Sequence, residues 1–161
     1  MQQFVLVLLL SILPFGISLS EVREKYAKAE ESPEITENLF SALSDIKETD
    51  DTIFLAYKGA VLTLKAKHSK GIKHKKEFFK NGVALLESAL SASPNNLEIH
   101  FIRLTVQENA PKIVRYNKQI EADKRFILKN YNSSEDEALK KIIKKYSSKS
   151  ALFSENEKQL F

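Results

Sequence analysis

Seven lysines, Lys65, Lys67, Lys70, Lys73, Lys75, Lys76 and Lys80, crowd into one stretch in which Glu77 is the only acid. Lysines at this density hold polyanions, because each ammonium that meets a phosphate or carboxylate releases condensed counterions. Anionic lipid head groups, acidic glycans and nucleic acid are the ligand classes that follow. The plainer reading is a solvated loop and helix surface. Nucleic acid is disfavoured, since the stretch has no arginine and its aromatics, Phe78 and Phe79, fall where core residues belong.

A zinc or proton-transfer site needs convergent ligands or an activated partner. His68 and His74 stand six apart in a field of lysines that repels cations, and His100 is alone near an apolar helix face. All three read as structural or surface histidines, so neither a metal nor a cofactor is expected. Asp123 shares a helical stripe with Ile113, Tyr116, Ile120 and Ile127, while Arg103 borders the Ile99 and Val106 side of the preceding helix. A carboxylate at a core position requires a partner, and Arg103 is the natural candidate for a structural buried pair. The alternative use of Asp123 is as a catalytic acid with Tyr116 beside it. No nucleophile elbow, glycine-rich phosphate loop or paired-acid signature accompanies it, so catalysis is not expected.

The elements that must position these residues are helices. Val22, Tyr26 and Ala29 recur at helical spacing; Ser32-Pro33-Glu34 supplies a cap, a first-turn proline and an acid for a second helix with Ile35, Leu39, Leu43 and Ile46. A third begins near Ile53, a fourth carries Phe79, Gly82, Val83, Leu86 and Leu90, and a fifth runs from about Leu97 to Gln107. The fifth is apolar on two sides, Leu97, Phe101 and Leu104 against Ile99, Ile102 and Val106, which places it between neighbours. Asn109-Ala110-Pro111 precedes a sixth helix with Ile113, Tyr116, Ile120, Ile127 and Tyr131 in register, and Ser134 to Glu137 reads as a capping box for a seventh. No segment alternates with period two for long enough to suggest a strand.

Gly59, Gly82, Ala89 and Pro94 are spaced for helix packing: small residues let two helices approach, and the proline stops the second and sets a turn. With Leu86 and Asn95-Asn96-Leu97-Glu98, this stretch resembles a tetratricopeptide repeat (TPR). Between Gly59 and Gly82 there are about eleven residues more than a repeat of about 34 residues would hold, which implies extended helices or a protruding basic connection. The resemblance implies an all-α fold, a short right-handed stack of antiparallel helical hairpins, about seven helices in all, and a scaffold for protein–protein contact.

Phe4 to Leu13 is apolar apart from Ser11 and is followed by Pro14, Gly16 and small residues, the layout of a cleavable secretory signal. The expected organisation is a signal peptide at 1–20, cleaved after Ser18 or Ser20, a helical domain at 21–147 and a tail at 148–161 in which Phe153, Leu160 and Phe161 can dock as a short helix. A retained anchor is the alternative, because no basic residue precedes the apolar run. With no cysteine, disulfides, thiolate metal sites and a lipidated cysteine are excluded. The reading is a secreted or periplasmic scaffold without a membrane span in its mature part, contacting a protein partner. Its rival is a binder of an anionic envelope component through residues 65–80.

Overall fold

Short polar side chains set most of the helix starts. Ser18, Ser32, Asp51, Asn96 and Asp136 each accept a hydrogen bond from a backbone N–H in the first turn that follows them, satisfying a donor the helix cannot. The computed structural model describes residues 16–161, and they build an all-α fold. Its helices are α1 (Leu19–Ala29), α2 (Pro33–Ala42), α3 (Thr52–His68), α4 (Ile72–Ala92), α5 (Leu97–Asn109), α6 (Ile120–Asn130), α7 (Glu137–Ser147) and α8 (Glu155–Lys158). Most of the expected signal segment, residues 1–15, lies outside the described residues, and the expected boundary at 20/21 falls inside α1. Among the described residues no helix is long and apolar enough to cross a membrane.

The long pair α3 and α4 forms an antiparallel hairpin. A short turn at 69–71 joins them, with Gly71 at φ 83°, a conformation glycine takes without steric cost. The surplus chain between Gly59 and Gly82 is therefore absorbed by extending both helices. An ideal Cβ on Gly59 would lie 2.6 Å from the Gly82 carbonyl oxygen, and one on Gly82 would lie 2.5 Å from the Gly59 carbonyl oxygen. The two backbones touch at this crossing. Ala89 is fully buried further along, Thr52 Oγ1 lies 2.9 Å from Ser93 Oγ at the far end, and Pro94 sits exposed in the turn to α5.

Helix α5 is buried on nearly every side, as its two apolar faces require. Ile99, Ile102 and Val106 pack with Val22, Leu39, Tyr57, Val61 and Leu86 of α1 to α4; Phe101 and Leu104 pack with Ile127, Tyr131, Leu139, Ile143 and Phe153 on the other side. Arg23 meets Glu98 and Tyr26 meets Thr105, so α1 and α5 run parallel. Gln119, Asp123 and Phe126 meet Gln107, Arg103 and His100 in turn, so α6 runs antiparallel to α5. The tail packs through Phe153, which is buried, and Phe161, whose ring meets those of Tyr131 and Phe153. Ser154 and Glu157 form a reciprocal capping box on α8.

Three local expectations are corrected. The sixth helix does not follow Pro111: residues Lys112–Val114 make a single 3-10 turn, Arg115 is left-handed at φ 52°, and α6 starts at Ile120. Ile113, expected on its apolar stripe, is 88% exposed. Polar Lys112, Arg115, Asn117 and Lys118 surround it, no side-chain cap nucleates a helix there, and Tyr116 is drawn instead to Phe79 and Glu87 of α4. The second helix ends at Ala42, so Ile46 lies in the following turn, where the Lys58 ammonium donates to the Ser44 and Ile46 carbonyls. At α7 the cap is Asp136 rather than Ser134, whose hydroxyl accepts from the Asp136 N–H outside the helix.

Candidate functional site

Because α5 is enclosed, each polar residue on it must find a partner inside the protein. Arg103 donates from Nε to Asp123 Oδ2 at 2.9 Å and from Nη2 to Oδ1 at 2.8 Å, a bidentate pair joining α5 to α6. Asp123 is completely buried and also accepts from Gln107 Nε2 at 2.7 Å, while His100 Nδ1 lies 2.7 Å from Oδ1. Arg103 reaches Glu87 on α4 at 2.9 Å, and the Tyr116 hydroxyl donates to the same carboxylate. Burial opposes charge on Arg103, yet its hydrogen bonds to Asp123 and Glu87 outweigh burial and hold the guanidinium above its ordinary value. Tyr116 is pushed up by burial and by Glu87, so its phenol stays neutral and donates.

A second buried cluster is assembled from residues far apart in the sequence. Arg23 donates from Nε and Nη2 to Glu98 at 2.7 Å each and from Nη2 to Asp136 at 2.6 Å, and the Tyr57 hydroxyl donates to Glu98 at 2.8 Å. The hydrogen bond to Glu98 raises Arg23 above its usual value against the cost of burial. Burial pushes the Tyr26 phenol up to about 12, and Tyr57 higher, with Glu98 adding to it. A third carboxylate, Glu108, accepts from the Tyr146 and Ser150 hydroxyls. The signal that marked Arg103, a polar residue on a helix apolar all round, marks Glu98, Gln107 and Glu108 equally. Their partners lie far along the chain, where spacing carries no information. These clusters are saturated with internal donors, which suits them to joining helices rather than to taking a ligand.

Asp136 gives a pH test. The hydrogen bond from Arg23 holds its carboxyl below the ordinary 3.8, helped by the Leu139 N–H. A depressed folded-state value adds stability that is fully present above the unfolded value of 3.8 and is lost as the pH falls below it through the lower folded-state value. Asp136→Asn is therefore expected to melt below wild type at neutral pH, with the gap closing in acid. Thermal melts across pH check this, and a gap of constant size would show that Asp136 is not linked to folding.

The lysine-rich stretch divides in two. Lys65 lies 2.9 Å from Glu37 and 3.8 Å from the centre of the Phe40 ring, and Lys67 lies 3.1 Å from Glu30, so both are engaged by the α1–α2 edge. A shallow depression there is lined by Pro33, Thr36, Glu37, Lys65, His68 and Ser69. Lys70, Lys73, Lys75, Lys76 and Lys80 are exposed, and among the described residues none has a carboxylate within salt-bridge distance. The first four lie at the tip of the α3–α4 hairpin and Lys80 stands about two turns further along α4; at the tip Ile72 is 86% exposed and Gly71 leaves the start of α4 without a side-chain cap. Among the described residues no group of three or more His, Cys, Asp or Glu converges on a metal position. No protein-family model matches the chain, and comparison with curated proteins and with solved structures likewise returns no match.

Proposed function

We propose that this chain is an exported helical-hairpin scaffold of the tetratricopeptide kind that works by binding, without catalysis, and meets its protein partner through the basic tip of α3 and α4. The observation that carries this reading is the set of exposed lysines, Lys70, Lys73, Lys75 and Lys76 at one hairpin turn and Lys80 further along α4, that have no carboxylate partner among the described residues. The backbone contact at Gly59 and Gly82, with Ala89 buried and Pro94 in the following turn, supports the tetratricopeptide comparison. A protein that fits such a tip is acidic. An anionic envelope component is the second reading, favoured by the exposed Ile72 among the lysines.

Replacing Lys70, Lys73, Lys75 and Lys76 together by glutamine tests both readings. Exposed charges contribute little to folding, so the melting temperature should stay nearly unchanged. Capture of partners from an envelope fraction at low salt should fall sharply in the variant, and wild-type capture should fall as salt is raised. Equal capture by both proteins would remove the basic tip as the contact surface.

A further inference from the structure

The hairpin tip is not the only place where an exposed isoleucine sits among positive charges. Among the described residues the large apolar side chains left exposed are Ile72, Ile113, Val114 and Leu160. Three of these four stand at two basic turns: Ile72, the first residue of α4, between Lys70 and Lys73, and Ile113 with Val114 between Lys112 and Arg115. Single exposed apolar residues are ordinary on protein surfaces, and here three of them coincide with basic turns.

The fold brings these loops to one end. His68, the last residue of α3, contacts the carbonyl of Ala29, the last residue of α1, and α1 runs parallel to α5. The C-terminal ends of α1, α3 and α5 therefore lie together, beside the start of α4. The 111–119 segment leaves α5 at this end, and its Tyr116 ring packs on Phe79 with centroids 6.0 Å apart. Phe79 is two turns into α4, about 10 Å along the axis from Ile72. Of the acids at this end, Glu30 and Glu37 are held by Lys67 and Lys65, while Glu31, Glu34 and Glu77 are exposed, against Lys70, Lys73, Lys75, Lys76, Lys112 and Arg115.

We propose that this end docks on the surface of an anionic lipid bilayer, with Ile72, Ile113 and Val114 seated between head groups and the flanking lysines and Arg115 on the lipid phosphates. This rests on the second reading above, in which the basic tip holds an anionic envelope component, and names that component as lipid. A soluble polyanion would satisfy the lysines and leave the isoleucines in water. An interface that is charged at the head groups and apolar just beneath accommodates both kinds of side chain at one depth.

The chain contains no tryptophan, so Ile72→Trp and Ile113→Trp each place a single fluorophore at the surface in question. With vesicles of mixed phosphatidylcholine and phosphatidylglycerol, both tryptophans should shift to shorter wavelength, and with phosphatidylcholine alone neither should. The apolar run near the N-terminus is common to every variant, and the local fluorophores report the loops apart from it. Ile72→Ser with Ile113→Ser should weaken binding to mixed vesicles about tenfold beyond any loss of binding to polyphosphate. The lysine-to-glutamine variant should weaken both. Polyphosphate binding with unshifted tryptophans would overturn lipid docking and leave the tip a general anion site. Binding to neither probe would overturn lipid docking and the general anion site together, and selective binding of an acidic protein without a vesicle response would assign the tip to protein contact alone.

Discussion

Gly82→Ala is expected to destabilise this protein by about 2 kcal/mol, although alanine is the better helix former by about 1 kcal/mol. The added methyl group meets the Gly59 carbonyl oxygen at 2.5 Å and the Leu62 and Thr63 side chains at 3.0 Å. The first of these is backbone, which cannot rotate away, so α3 and α4 must separate. Gly82→Leu should cost about 4 kcal/mol or abolish folding. Gly59→Ala acts on the same crossing, and a hairpin already forced apart by one methyl admits the second more cheaply, so the double alanine variant should lose less than the sum of the single losses. Chemical denaturation measures all four. A Gly82→Ala protein as stable as wild type would show that the helices give way without cost and that the glycine contact does not hold the hairpin together.

The Arg103–Asp123 pair carries the second large effect. Asp123→Ala should cost about 3 kcal/mol, because it leaves a buried guanidinium with Glu87 as its remaining carboxylate and strips Gln107 of its acceptor. Arg103→Met in the same background removes the stranded charge and should recover part of the loss. Strictly additive losses in this double-mutant cycle would mean that the two residues do not support one another. The partly exposed Glu87 can hydrate when Arg103 is removed, so the recovery reflects mainly the pair with Asp123.

Arg103 and Asp123 meet, but not through the register of two continuous helices. Counting outward from Pro111 on the premise of two continuous helices places Arg103 and Asp123 about one turn apart. The chain is not helical at 115–119, and the register is set instead by Gln107, whose Oε1 accepts from the Gln119 N–H at 2.9 Å while its Nε2 holds Asp123. That side chain caps the start of α6 from the neighbouring helix. Periodicity cannot reveal such a cap, because donor and acceptor belong to different elements.

What the sequence by itself determined is the local chemistry: that the described residues form helices, where most of them start, which positions on α5 face two cores, and that Gly59 and Gly82 lack the bulk to keep helices apart. These follow from side-chain size, polarity and period, all of which act over a few residues. Tertiary structure alone decided which elements meet. It brought Arg23 to Glu98 across 75 positions, turned the pair of glycines into a backbone contact, split the lysine run into an engaged half and a free half, and left Ile113 exposed beside a 3-10 turn instead of on a helix stripe. The reason is that a buried charge and a packed backbone are satisfied by whatever lies nearest in space, and distance along the chain carries no record of that once helices pack.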